Sequence, residues 1–295
     1  MASTSPGGPE GARTVLDVVR LSTTYLSEHG SDTARLDAEL LMAHALQIER
    51  LGVYLQFDRP LTDDELDTVR TLLRRRGRGE PIAHLTGRRE FYGRSFRVSP
   101  AVLIPRPETE TLVERALKAA REQGGELRIA DLGTGSGCLA CTLAAELPSA
   151  TVIASDLSAA ALAVAAENAE ALGVADRVLF VEGGWTEGLV ADLDLVVSNP
   201  PYVTAAEMEQ LPRDVSFEPR LALDGGEDGL DAYRALLPAV AERARGVCWV
   251  GLEVDSRRAE AVVALSRDLW PAASIVIVDD LARHPRVVEI RGEVP

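Results

Sequence analysis

Leu127-Arg128-Ile129-Ala130-Asp131-Leu132-Gly133-Thr134-Gly135-Ser136-Gly137 decides the fold. The stretch is a short strand-like run that breaks into G-x-G-x-G, and a helical pattern follows from about Cys138 to Glu146. A strand that passes through a glycine turn straight into a helix opens a βαβ unit. The same alternation continues outward. Thr151 to Ala154 reads as a second strand ending at Asp156, and Ser158 caps a helix to about Leu172. Strands around Val178 to Val181 and Leu193 to Val197 follow, then a helix near Asp231 to Arg243. Strands around Val247 to Leu252, Ile275 to Val278 and Val287 to Ile290 close the pattern. The expected class is α/β: an open, mostly parallel, seven-stranded sheet with helices on both faces and its ligand at the strand carboxyl ends.

The glycine loop implies the kind of ligand. Gly133, Gly135 and Gly137, with Thr134 and Ser136 between them, let the backbone come close to a bound group. The helix N-terminus behind them favours an anion. A glycine turn alone can serve the fold and nothing else, so context decides. Asp156 ends the next strand about twenty residues on, where an acidic side chain can hold both hydroxyls of a ribose. The spacing is not GxGxxG and no Walker lysine is present, which disfavours NAD and ATP. S-adenosylmethionine fits better, because it carries a ribose and an amino-acid carboxylate but no phosphate. Trp185, just past the third strand, is expected to wall an adenine; the plain alternative is an ordinary core tryptophan. Cys138 and Cys141 form a C-x-x-C with no second pair to complete a zinc site, so they are read as small apolar helix residues and no metal is expected.

The second site signal is Asn199-Pro200-Pro201-Tyr202, directly after the apolar run Leu193 to Ser198. The double proline ends a buried strand in a rigid turn. The Asn199 carboxamide oxygen and the carbonyl beside Pro200 make two acceptors that can grip both hydrogens of a planar NH2 group, and Tyr202 can lie against that plane. Asn199, Pro200 and Tyr202 are therefore the candidate catalytic residues, with Pro201 completing the substrate grip, and the substrate is an amide or amine.

Upstream, residues 1–12 are small, polar and rich in Gly and Pro, and are expected to be disordered. Residues 13–80 read as a helical bundle for recognising the substrate, with Gly30 stopping the first helix, Ser31 or Asp32 capping the second, and a Thr62–Glu65 capping box opening a third. His29 and His44 are read as packed or surface residues, and His84 and His284 as unsupported for catalysis. Residues 81–100 form a linker in which Glu90 to Val98 make a hairpin, and the catalytic domain occupies 101–295. Between Arg70 and Arg106 the chain is locally basic, with Arg88, Arg89 and Arg94 expected to dock a macromolecular partner while Arg74 to Arg76 complement a helix C-terminus. Pro107 sits in the first turn of a helix to about Arg121, and residues 203–223 are expected to cover the site.

Composition excludes other classes. A formal net charge of −15 opposes broad adhesion to nucleic-acid phosphates. Three cysteines make no disulfide framework. There is no long apolar run and no leader, so a cytoplasmic protein without membrane contact is expected, and a monomer.

Four segments together carry a family resemblance: Asp131 to Gly137, Asn199 to Tyr202, Pro100-Ala101-Val102-Leu103-Ile104-Pro105-Arg106-Pro107-Glu108-Thr109-Glu110, and Ala222-Leu223-Asp224-Gly225-Gly226-Glu227-Asp228-Gly229-Leu230. The chain from about residue 13 onward resembles the HemK/PrmC family, N5-glutamine methyltransferases of peptide chain release factors. The resemblance implies a Rossmann-like methyltransferase domain. It implies contacts to S-adenosylmethionine from Gly133 to Gly137, Asp156, Trp185 and Asn199, with Asn199 to Tyr202 holding the glutamine of a Gly-Gly-Gln motif. Two departures stand out: Gly184 precedes the tryptophan where the family usually has an acid, with Glu182 two positions earlier, and Val254-Asp255-Ser256 replaces the usual Gly and Gln after Leu252-Glu253. The competing readings are a methyltransferase for exocyclic amino groups of DNA or RNA, which the charge opposes, and a non-catalytic S-adenosylmethionine-binding protein, which the intact Asn199 to Tyr202 segment opposes.

Overall fold

The computed structural model describes residues 13–185, 187, 193–243 and 249–292. Residues 1–12 and the first residues of the strand expected from Val247 lie outside them. The chain divides into two compact units, residues 1–87 with 213–217, and residues 88–212 with 218–295.

Among the described residues the first unit is helical: α1 Val15–Glu28, α2 Ala34–Ala45, α3 Arg50–Leu55, α4 Asp63–Gly77 and α5 Ile82–Thr86. Capping boxes open α1 (Thr14 with Asp17) and α4 (Thr62 with Glu65), each satisfying backbone N–H groups that the first turn leaves over. Gly30, at φ 82°, turns the chain out of α1. The start of α2 differs from the sequence expectation. Its N-cap is Thr33, which makes no capping bond, because the hydroxyls of Ser31 and Thr33 donate instead to Asp37 at 2.8 and 2.9 Å. Asp37 is buried and also takes Arg76 Nε at 2.7 Å, so an acid that needs partners draws the hydroxyls inward and ties α2 to α4. Val15, Leu26, Met42 and Val69 form the core between these helices. α3 and α5 have six and five residues, too short for a helical period to stand out in sequence.

The second unit opens with a hairpin, β1 Arg88–Phe91 and β2 Arg94–Arg97. Its turn residues Tyr92 and Gly93 both have positive φ, 48° and 70°, the two-residue geometry that matches strand twist. Phe91 and Phe96 bury their rings edge to face, 6.0 Å apart. The hairpin's basic groups turn onto their own unit. Arg94 pairs with Glu146 at 2.6 Å, Arg97 with Glu167 at 3.1 Å, and Arg89 donates to the Pro105 carbonyl. In the first unit Arg75 and Arg76 are likewise held by Glu80 and Asp37. Of the three arginines expected to dock a partner, Arg94 is ion-paired and Arg89 hydrogen-bonded within the second unit.

A 3₁₀ turn at Pro107–Thr109 leads into α6 Glu110–Gln123. There follow β3 Arg128–Leu132, α7 Cys138–Glu146, β4 Thr151–Asp156, α8 Ala159–Ala171, β5 Val178–Glu182 and β6 Leu195–Ser198. α9 Ala205–Met208, α10 Asp231–Arg243, β7 Trp249–Glu253, α11 Ala259–Leu269, β8 Ser274–Asp279 and β9 Pro285–Arg291 complete the unit. The seven strands stand in the order β5-β4-β3-β6-β7-β9-β8. The first five are parallel, and β9 enters antiparallel between β7 and β8. The order in which the chain lays down its parallel strands reverses between β3 and β6. That switch point leaves a crevice at their carboxyl ends, where ligands of open α/β sheets bind.

Both faces are covered, which is why the strands are apolar throughout. Ile129, Leu195, Val197 and Trp249 pack on one side with α6 and α7, while Ala130, Leu132, Val196 and Val250 pack on the other with α10 and α11. Burying each large side chain contributes about 1.5–3 kcal/mol. Polar residues enter where the strands end: Asp131, Ser155, Ser198 and Glu253 are all buried at the carboxyl edge.

Asn168 of α8 joins three parts of this unit. Its amide accepts from the Arg97 N–H at 2.7 Å and donates to the carbonyls of Arg97 and Ser136 at 3.0 and 2.8 Å. Asn168→Ala leaves three backbone groups without this partner, the Ser136 carbonyl among them buried, and is expected to destabilise this unit by about 1–3 kcal/mol. Urea unfolding followed by tryptophan fluorescence checks it, because Trp185, Trp249 and Trp270 all belong to this unit. A loss below about 0.5 kcal/mol would show that the three bonds contribute nothing net.

Candidate active site

The glycine loop is shaped by its own strand end. Gly133, Gly135 and Gly137 have φ of 76°, 56° and 77°, a region that costs other residues strain. The N–H groups of Gly133 and Thr134 both reach the Ser155 carbonyl at 2.9 Å, so β4 fixes the loop's height. Asp131 fixes its far side: the carboxylate accepts from the Thr134 hydroxyl at 2.6 Å and from the Ala140 N–H at 3.1 Å. Full burial pushes the Asp131 carboxyl up to about 7 against these two bonds, with the Asp156 charge adding to the rise. Gly137 is the N-cap of α7 and has no side chain to cap it, so the first-turn Ala140 N–H is taken by Asp131. A Cβ there would stand 3.0 Å from Ala165 Cβ, so this glycine lets α7 and α8 approach. At Gly135 a Cβ would meet nothing within 4 Å, which leaves the loop's inner edge open.

A cavity of about 1050 Å³, counted to its open mouth, lies at the switch point. Gly133, Thr134, Gly135, Ser136, Asp156, Trp185, Asn199 and Pro201 all line it, so two signals more than sixty residues apart in the chain share one space. Gly137, Pro200 and Tyr202 do not line it. Gly137 stands behind the loop, and Tyr202 is half-buried against the cluster that contains Tyr233 and Val254.

Asp156 does more than the sequence indicated. One oxygen accepts from the Gly135 N–H at 2.9 Å and the other from the Ser158 N–H at 2.9 Å, so it holds the loop and opens the α8 cap. A carboxylate offers about four acceptor positions, which leaves two for a ligand. Trp185 packs its indole over Gly133, 3.4 Å from where a Cβ would sit. Beside it, a Cβ built on Gly184 would lie 3.4 Å from Glu187 Oε2, and one on Gly183 only 2.5 Å from the Glu187 stem. The two glycines thus leave room for the Glu187 side chain, which is exposed, as is Glu182 on β5.

Sequence reasoning missed the walls that hold the Asn199 turn. Gly225 and Gly229 press on the Tyr202 backbone: a Cβ at Gly225 would stand 2.7 Å from Tyr202 Cα, and at Gly229 2.4 Å from its carbonyl oxygen. The Val203 N–H bonds the Leu223 carbonyl and the Gly225 N–H returns to Val203, both at 2.8 Å. Those backbone contacts give the Asp-Gly-Gly segment its role. Across the mouth, buried Glu218 pairs with Arg106 and accepts the Ile104 N–H at 2.8 Å, fastening residues 218–222 to the segment before α6. Asn199 itself donates from Nδ2 to the Thr109 hydroxyl at 3.4 Å.

Comparison with known proteins adds chemistry to this geometry. Residues 17–87 match the PrmC N-terminal domain family and residues 108–213 the methyltransferase small domain family. The release factor glutamine methyltransferase of Geobacter sulfurreducens is 44% identical over 255 residues, covering 86% of this chain and 87% of that protein. That of Bradyrhizobium diazoefficiens is 42% identical over 294 residues, covering 97% and 95%. Among solved structures, the hMettl16 catalytic domain in complex with MAT2A 3′UTR hairpin 6 has a TM-score of 0.54 at 15% identity, covering 71% of this chain and 80% of that one, a likeness of fold.

The cysteine pair belongs to the scaffold. Cys141 is buried beneath Gly137, and burial pushes its thiol up to about 12 and raises Cys138 well above the usual thiol range. In a Cys248→Ser background, thiol titration of the native protein at pH 8 is expected to find no rapidly reacting group and, after unfolding in guanidinium, two. A fast native thiol would restore a redox reading.

Proposed function

This chain belongs to the family of release factor glutamine methyltransferases, and from that premise we propose that it transfers a methyl group from S-adenosylmethionine to the side-chain amide nitrogen of the glutamine in the Gly-Gly-Gln motif of peptide chain release factors. The observation that carries the reading is the shared cavity, in which the glycine loop and the Asn199 turn face one volume. The helical unit, matched by the PrmC N-terminal domain family, is assigned to recognising the protein substrate. No helix among the described residues is long and apolar enough to cross a membrane.

The residues present fit the methyl donor. Gly135 leaves an open backbone edge, the loop ahead of α7 brings backbone N–H groups to the cavity, Asp156 keeps two acceptor positions for ribose hydroxyls, and Trp185 offers an aromatic wall. When bound there, S-adenosylmethionine supplies an electrophilic methyl on a sulfonium.

The chain's own task is to make a poor nucleophile react. A glutamine amide nitrogen shares its lone pair with the carbonyl. Asn199 Oδ1 and the Pro200 carbonyl accept its two N–H groups, hold the nitrogen in line and favour the positive charge that develops on those hydrogens. Proline at 200 and 201 offers no N–H that could compete for the amide's own carbonyl. Tyr202, held from behind by Gly225 and Gly229, keeps the turn from relaxing. No general base is assigned, because the N-methylated amide cation is strongly acidic and loses its proton to water.

Mass spectrometry of a purified release factor incubated with the protein and S-adenosylmethionine is expected to find one added methyl, on the Gly-Gly-Gln glutamine. Asn199→Ala is expected to lower turnover at least about a hundredfold while leaving S-adenosylhomocysteine affinity, read by calorimetry, within about threefold. Asp156→Ala is expected to do the reverse, weakening the cofactor by about tenfold or more. Equal loss of turnover and affinity in Asn199→Ala would make Asn199 a cofactor or folding residue, and methylation elsewhere would overturn the substrate.

A further inference from the structure

Two buried polar side chains beside Asn199, Thr109 in the cavity wall and Glu253, are not used by the mechanism above. Thr109, the last residue of the 3₁₀ turn, is 2% exposed, and its hydroxyl accepts from Asn199 Nδ2 at 3.4 Å. Glu253, the last residue of β7, is 1% exposed; the Thr109 hydroxyl lies near enough to its carboxylate to favour the charged form, and its Oε2 has no hydrogen-bond partner among the described residues. The sheet brings them together, since Ser198 of β6 pairs with Leu252 of β7 and the next residues are Asn199 and Glu253.

We propose that Thr109 and Glu253 are positioning residues that decide which end of the Asn199 carboxamide faces the substrate. The proposal rests on the reading of Asn199 as the acceptor of the substrate amide. The two ends of a carboxamide have nearly the same shape and opposite hydrogen-bonding sense, so the surroundings must choose between them. A hydroxyl has a single hydrogen. When the Glu253 carboxylate takes it, Thr109 can offer Asn199 lone pairs alone, which engage the NH2 end and leave Oδ1 toward the cavity. When Glu253 is protonated, its own O–H can donate to Thr109, whose hydrogen is then free to hold Oδ1. The carboxamide would turn its NH2 to the cavity and meet the substrate amide donor to donor. One proton on Glu253 is thereby converted into the orientation of an uncharged side chain.

The surroundings put that proton in the working range. Burial raises Glu253 to about 7, with Glu108 adding to the rise, while the Thr109 hydroxyl and the guanidiniums of Arg286 on β9 and Arg106 before the 3₁₀ turn oppose it. Tyr202, Tyr233 of α10 and Cys138 of α7 also face it, and burial raises all three far above neutrality, so they stay uncharged. The active form is the deprotonated one. Activity must therefore fall as pH drops through about 7.

The experiment is kcat/KM for a purified release factor across pH 6–9, with S-adenosylhomocysteine affinity by calorimetry, for wild type, Asn199→Ala, Thr109→Val, Thr109→Ser and Glu253→Gln. Expected are a one-proton decline below about pH 7 in wild type, its absence in Glu253→Gln and Thr109→Val, a loss of roughly tenfold at pH 8 in Thr109→Val with cofactor affinity retained, and return of both rate and pH step in Thr109→Ser. Wild-type rate and pH profile in Thr109→Val and Glu253→Gln, alongside an inactive Asn199→Ala, would overturn this proposal alone. An active Asn199→Ala would overturn the reading beneath it.

Discussion

The buried carboxylate of Asp131 is the interaction on which the rest of the second unit turns. It sits near the carboxyl end of β3 and accepts hydrogen bonds from the loop and from the first turn of α7. An unpartnered charge at full burial would be costly, and even with two partners its carboxyl is pushed up to about 7. The fold accepts that cost in return for a fixed joint between strand, loop and helix. The Ser155 carbonyl and Asp156 of β4 then complete the joint from the neighbouring strand, so the glycine loop is shaped before any ligand arrives.

Around that joint the two halves of the cavity are built by different means. The β3 to β5 side presents backbone: positive-φ glycines, a helix start whose N-cap is a glycine, and a carboxylate already engaged with N–H groups. Such a surface suits a ligand carrying an anion and hydroxyls. The β6 to β7 side presents acceptors mounted on a double proline and backed by buried side chains, which suits a ligand that donates. The reversal of strand order between β3 and β6 is what sets these unlike surfaces against each other, because it is there that the crossovers leave in opposite directions and open the crevice.

What could be read from the chain was what is encoded locally. The strand–glycine–helix stretch, the Ser158 cap, the Thr62–Glu65 box and the hairpin with its glycine turn are each stated by neighbouring residues, and each is found. The α2 cap was misread because Ser31 is a good N-cap in isolation, whereas its hydroxyl serves a buried Asp37 that Arg76, thirty-nine residues on, also needs. The antiparallel entry of β9 between β7 and β8 was illegible for a similar reason: a strand's apolar pattern states its burial and not its direction. Glycine spacing pointed to the cofactor loop, but Gly225 and Gly229 matter through contacts with the Tyr202 backbone that no local pattern announces.

Thr109 and Glu253 mark the limit of such reading most sharply. One stands in a proline-rich turn and the other ends a strand, and nothing in either stretch points to Asn199. Their meeting depends on strand register, since a parallel strand shifted by one residue would turn the Glu253 side chain to the opposite face of the sheet. That dependence explains why polar groups are tolerated at the carboxyl edge of an otherwise apolar sheet. A carboxamide that must keep one orientation needs a partner of fixed sense, and a hydroxyl acquires a fixed sense only when something else takes its hydrogen. Burying a carboxylate to do so is costly in stability, and the cost is tolerable at a strand end, where Arg106 and Arg286 lie close enough to offset part of it.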